Sequence, residues 1–106
     1  MDTFAALAEP NRRKIIELLA DNGKLSATDI AKKFHLTPPA ISQHLKVLRE
    51  AKLVDMEKRA QQRIYTVNPA TISELEEWIK KIKVQWEERL NRLETVIETL
   101  KKKKSR

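Results

Sequence analysis

Apolar positions along the chain keep a helical rhythm, pass through a short strand-like stretch, and return to a helical rhythm that then lasts for about thirty residues. Thr3 to Ala8 reads as a short apolar helix. Pro10 opens a second helix in which Ile15, Ile16, Leu18 and Leu19 form a buried face, closed by Asn22-Gly23 as a left-handed C-cap. Leu25 to Arg49 then reads as two short helices joined by a tight turn. Ser26 followed three residues later by Asp29 is a capping-box start, because the hydroxyl accepts from the third helical N–H while the carboxylate sits by the positive helix end. Ile30, Ala31 and Phe34 give this helix its stripe, and His35-Leu36-Thr37 breaks into Pro38-Pro39. Thr37 stands as N-cap and Pro38 at the first helical position, where its missing N–H is harmless. In the helix that follows, Ala40, Ile41, Leu45 and Leu48 recur at helical spacing with Val47 flanking them. Thr37, Ser42, Gln43 and Lys46 therefore lie mainly off the packed face.

Leu53 to Glu57 and Arg63 to Val67 carry β-branched or aromatic members and predict a two-stranded β-hairpin. The tip between them, Lys58-Arg59-Ala60-Gln61-Gln62, lacks the Gly or Asn of the tightest turns, so a longer, more mobile loop is expected. From Thr71, with Glu74 completing a second capping box, no Pro or Gly interrupts the chain to about Leu100. Apolar residues fall at Ile72, Leu75, Ile79, Ile82, Trp86, Leu90, Leu93, Ile97 and Leu100, alternating three and four except for one extra residue between Trp86 and Leu90. The 11-residue step from Ile82 to Leu93 removes the left-handed supercoil bias of a strict heptad, which favours a helix packed across another over a long parallel coiled coil. The tail Lys101–Arg106 is a charge run expected to fray.

The fold class is thus mainly α with a two-stranded β-hairpin wing, in one domain over 1–106: a helix-turn-helix at 26–50, the wing at 53–67 and a long C-terminal helix at 71–100. A helix of about 30 residues extends roughly 45 Å, farther than a chain of this size covers alone. The stripe of Trp78, Ile79, Ile82, Trp86, Leu90 and Leu93 is therefore expected at a dimer interface, with Phe4 and Leu7 of the first helix contributing. Monomer core and a small-molecule site between the two long helices are the other uses open to these residues.

Charge narrows the partner. The chain carries a formal +7 at pH 7, and residues 32–63 hold eight Lys/Arg against three acids, so the excess gathers on the helix-turn-helix and wing and points to a polyanion. With no cysteine there is no disulfide and no thiolate metal site. No apolar run approaches the roughly 20 residues of a membrane span, and the N-terminus lacks a basic-then-apolar leader, so a soluble cytoplasmic protein without membrane contact is expected. Catalysis would need a nucleophile–base pair, paired buried carboxylates or a metal cluster. Two isolated His and acids spread along exposed helix faces provide none of these, so no enzyme, no cofactor and no metal site is expected. His35 and His44 are read as packed or hydrogen-bonded rather than as ligands.

Several strings carry a family likeness. Ala5-Leu7-Ala8-Glu9-Pro10-Asn11-Arg12-Arg13 with Ile16 and Leu19, Ile41-Ser42-Gln43-His44-Leu45-Lys46-Val47-Leu48, and Ala51-Lys52-Leu53-Val54 resemble the opening, the recognition helix and the wing entry of the ArsR family of winged-helix repressors, over essentially the whole chain. Trp78 and Trp86-Glu87-Glu88-Arg89-Leu90 with Leu93 further resemble its metal-independent subgroup. The sequence departs from metal-sensing members, having Ser26-Ala27-Thr28-Asp29 where they carry cysteines and no His in residues 69–106. The resemblance implies a second helix in the major groove of double-stranded DNA, contacted by Thr37, Pro38, Pro39, Ser42, Gln43 and Lys46. Gln43 is the expected base reader, since its amide can bond adenine at N6 and N7, while Ser42 and Thr37 can serve bases or phosphates. Wing residues Lys58, Arg59, Gln61, Gln62 and Arg63 are expected in the minor groove or along phosphates. Arg12, Arg13 and Arg49 are open to phosphate contact or salt bridging. The expected function is a sequence-specific DNA-binding transcriptional regulator, a homodimeric repressor that occludes a promoter at a pseudo-palindromic operator. The alternative is a winged-helix protein-interaction module, against which the local basic excess counts.

Overall fold

Side-chain caps set the helix starts in the computed structural model of the protein, which describes residues 2–104. Asp2 accepts from the Phe4 N–H to start α1 (Thr3–Ala8). The Glu9 carboxylate accepts from the Arg12 N–H at 3.0 Å to start α2 (Pro10–Asn22), which ends at Gly23 with φ 81° and its N–H on the Leu19 carbonyl. Ser26 Oγ accepts from the Asp29 N–H at 3.1 Å ahead of α3 (Ala27–Lys32), and Thr37 Oγ1 from the Ala40 N–H at 3.3 Å ahead of α4 (Pro38–Glu50). These are the starts that the capping residues predict. Helix α4 ends in a Schellman motif, with the Leu53 N–H on the Leu48 carbonyl and the Lys52 N–H on that of Arg49. Lys52 takes the left-handed position, φ 61°, that glycine usually fills, and Leu48 and Leu53 bury the apolar contact beside it.

Ile15, Leu19, Ile30, Ile41, Leu45, Leu48, Leu53 and Val54 make the fully buried core. Ile16 and Leu18, expected in it, are half-buried. The sheet has three strands, not two: β1 (Leu25–Ser26), β2 (Val54–Arg59) and β3 (Gln62–Val67) pair antiparallel in the order β1-β3-β2. Leu25 faces Tyr65 and Ser26 faces Ile64, so Ser26 serves at once as strand residue and helix cap. The wing also corrects the expected long tip. Pairing continues to Arg59 opposite Gln62, leaving a two-residue turn of Ala60 and Gln61. Ala60 sits at φ 54°, a conformation that costs a non-glycine residue about 1–2 kcal/mol. The six cross-strand pairs of the hairpin hold it there.

Helix α5 (Pro69–Lys104) begins earlier than predicted. Its cap is Asn68, not Thr71: Asn68 Oδ1 accepts from the Ala70 and Thr71 N–H groups at 2.9 and 3.2 Å, and Pro69 takes the first helical position. The Asn68 N–H bonds the Leu53 carbonyl, and its Nδ2 donates to Asp55 Oδ1 at 3.2 Å. Thr71 lies inside the helix, buried, with its hydroxyl donating to the Lys52 carbonyl at 2.7 Å. The helix continues through Lys101–Lys104, where fraying was expected, and the remainder of that tail, residues 105–106, lies outside the described residues. By contacts the chain divides into two units, Met1–Ile72, which holds α1 to β3 and the core, and Ser73–Arg106. Residues 76–103 of α5 are all exposed, the apolar stripe included.

Candidate nucleic-acid interface

Capping by Thr37 and the Pro38-Pro39 start fix the direction of α4, and burial of Ile41, Leu45, Val47 and Leu48 fixes which side of it faces the core. Pro38, Pro39, Ser42, Gln43, Lys46 and Arg49 are left exposed on the rest. Part of that surface forms one wall of a groove of about 770 Å³, whose other side is Ala27 of α3 and Arg63 and Tyr65 of β3. Pro39, Ser42, Gln43 and Lys46 thus share a groove with Arg63, and Arg49 and Glu50 join them. Arg49 belongs to the site on the same signal as Lys46: both follow Ser42 at helical spacing. Nothing in the sequence marks Tyr65 or Ala27, which line the groove only because β1 and β3 pair.

Three cations and one acid line this groove, so it draws a polyanion rather than a neutral ligand. A second groove of about 450 Å³, between α2 and the turn before α4, is lined by Lys14 and Lys33 but also by Glu17 and Asp21, and has no such bias. The remaining wing candidates, Lys58, Arg59, Gln61 and Gln62, lie exposed at the hairpin tip, outside the α4 groove. Arg59 Nε is 3.4 Å from Glu57 Oε1 in an exposed ion pair, which leaves Lys58 and Arg63 as the less encumbered cations of the wing. The Thr37 oxygen accepts from the backbone in its cap, so toward a ligand it has chiefly its O–H to donate.

Arg12 and Arg13 turn to backbone carbonyls. Arg12 Nε donates to the Ala6 carbonyl at 2.6 Å and Nη2 to that of Ala5, while Arg13 Nη1 donates to Leu7 and Ala8. The last turn of a helix leaves carbonyls without partners, and these two guanidiniums satisfy the end of α1. Arg12 Nη1 also approaches Nδ1 of His44 at 3.5 Å, and Glu9 Oε2 lies 3.8 Å from the same nitrogen, so half-buried His44 ties α4 to the start of α2. Partial burial would raise the Glu9 carboxyl, but backbone hydrogen bonds from Asn11 and Arg12, with the charges of His44 and Arg12, hold it below its ordinary value. Among the described residues no group of three or more His, Cys, Asp or Glu gathers as a metal would require, and no helix is long and apolar enough to cross a membrane.

A helix-turn-helix followed by a paired wing, with the exposed helix face and a wing strand enclosing one basic groove, defines a winged helix-turn-helix protein. The sequence matches the profile of the bacterial regulatory proteins of the arsR family over residues 9–56. It is 33% identical over 78 residues to the transcriptional repressor SdpR of Bacillus subtilis, covering 74% of this chain and 86% of that one. Identity to the HTH-type transcriptional regulator Rv2034 of Mycobacterium tuberculosis is 40% over 72 residues, 68% of this chain and 66% of that one. The solved structure of an ArsR-like transcriptional regulator from Rhodococcus sp. RHA1 superposes with a TM-score of 0.76 at 26% identity, over 88% of this chain and 87% of that one. The chain belongs to the ArsR family and is a DNA-binding transcriptional regulator.

Proposed function

We propose that the protein is a homodimeric repressor that occludes a promoter by reading a pseudo-palindromic operator. The observation that carries this reading is the groove in which Ser42 and Gln43 of α4 lie beside the cations Lys46, Arg49 and Arg63. Cations on both walls hold phosphates without regard to sequence, and the amide of Gln43 supplies the base-edge discrimination. Thr37, Pro38 and Pro39 set the start of the reading helix against the backbone. Lys58, Arg59, Gln61 and Gln62 follow the adjacent groove from the hairpin tip. Residues 1–106 act as one functional domain in the cytoplasm, without catalysis, in keeping with relatives that are named as regulators.

Dimerisation in this reading uses Trp78, Ile79, Ile82, Trp86, Leu90 and Leu93 of α5, with exposed Phe4 and half-buried Leu7 of α1. An apolar stripe of this extent left in water marks an interaction surface. A two-fold dimer reads two half-sites about one helical turn apart, roughly 10 bp between centres. Selection from a pool of random duplexes tests this. Enrichment of inverted repeats at that spacing is the expected outcome, and a pool that stays random would reject sequence-specific reading.

A further inference from the structure

We infer that the hydroxyl of Tyr65 donates a hydrogen bond to a backbone phosphate of the bound duplex, as an uncharged contact on the wall of the α4 groove. This rests on the reading in which that groove faces DNA. Strand β3 lies at the centre of the sheet, and Tyr65 is paired on both sides, with Leu25 of β1 and Met56 of β2, so two ladders set its place. Alternation puts its side chain on the face of β3 that carries Arg63, about 7 Å away along the strand, and both residues line the groove. Tyr65 is only 5% exposed. Among the described residues its hydroxyl nevertheless has no hydrogen-bond partner, while every side-chain nitrogen or oxygen fully shut from solvent has one. The small part of Tyr65 that solvent reaches therefore includes the hydroxyl, where the residue borders the groove. A phenol packed this deeply ordinarily finds an acceptor.

The surroundings say which acceptor arrives. Lys46, Arg49 and Arg63 line the groove against one acid, Glu50, so the acceptor is anionic. A helix with its side chains is about 10–12 Å across and the major groove of DNA about 12 Å wide, so α4 fills that groove and the opposite wall of the protein lies over phosphates. Tyr65 stands on that wall. The three cations are exposed and give up rotamer freedom when they bind, whereas the packed ring of Tyr65 has none left to lose. Being neutral, the phenol also releases no counterion. It fixes the wing strand on the backbone without adding to the salt dependence that the cations create.

Tyr65→Phe keeps the ring and removes only the hydroxyl. The full-length variant is expected to bind operator and scrambled duplex alike roughly ten- to a hundredfold more weakly, one hydrogen bond being lost in each of two subunits. Its slope of log affinity against log salt should equal that of the wild type, whereas Arg63→Ala should flatten the slope by about one per subunit. A loss confined to the operator would put the hydroxyl on a base edge and overturn the phosphate assignment. Wild-type affinity in Tyr65→Phe, with Arg63→Ala still weakened, would overturn the inference. Indifference of both variants would instead reject the reading that this groove faces DNA. Tyr65 is the one tyrosine of the chain, so wild-type protein isotope-labelled at the tyrosine Cζ gives a single magnetic-resonance signal and decides the matter should the variant fold poorly. That signal should move when operator binds, and return toward its free position when a neutral methylphosphonate replaces the contacted phosphate in each half-site. A signal that answers to no methylphosphonate along the operator would overturn the inference.

Discussion

Operator affinity is expected to fall by about 10³–10⁵ when salt rises from 50 to 200 mM. Each subunit offers Lys46, Arg49 and Arg63 in the α4 groove and Lys58 and Arg59 at the wing tip. Arg59 is partly engaged by Glu57. The proposed dimer would therefore neutralise on the order of six to ten phosphates, each releasing a condensed counterion from the duplex. Titration of labelled duplex at several salt concentrations gives the slope of log affinity against log salt. A flat response would mean that these cations do not face phosphates, and would favour a protein-interaction module instead.

Trp86→Glu is expected to convert the protein to monomers. On the proposed α5 dimer face the substitution places a carboxylate from each copy in a surface that association dries, and an unpaired buried charge costs about 3–5 kcal/mol. That corresponds to roughly two to three and a half orders of magnitude in the dimer Kd. Operator affinity should fall with it, because a monomer holds one half-site, while the Met1–Ile72 unit keeps its own core and fold. Sedimentation at micromolar concentration shows the outcome directly. An undiminished dimer would move the interface away from this stripe.

The reading unit was legible in sequence because local chemistry settles its boundaries. Ser26 and Thr37-Pro38 each have one low-energy role at a helix start, and the apolar spacing after them leaves a single face to bury. Strand β1 is not legible in sequence, because two residues carry no alternation and Ser26 carries the signature of a helix cap. The tight wing turn is hidden for a different reason: the lack of Gly argues against it only until paired strands supply enough to hold Ala60 at positive φ. At the start of α5 two signatures competed. Thr71 and Glu74 match a capping box, but Asn68 stands before a proline, which disfavours a helical backbone in the residue ahead of it, and its amide and backbone are tied to Leu53 and Asp55. Those partners come from β2 and the residue before it, which a local window does not see. Within the groove, Gln43, Lys46 and Arg49 follow from helical spacing, whereas the place of Arg63 beside them depends on strand register.

In the proposed complex the exposed face of α4 reads base sequence while the cations around it hold phosphate. Titrating Gln43→Ala on the selected operator and on a scrambled duplex tests it most directly. A loss of about 1–3 kcal/mol on the operator and almost none on scrambled DNA is expected, against an even loss on both for Arg63→Ala. Equal weakening of both duplexes by Gln43→Ala would contradict it.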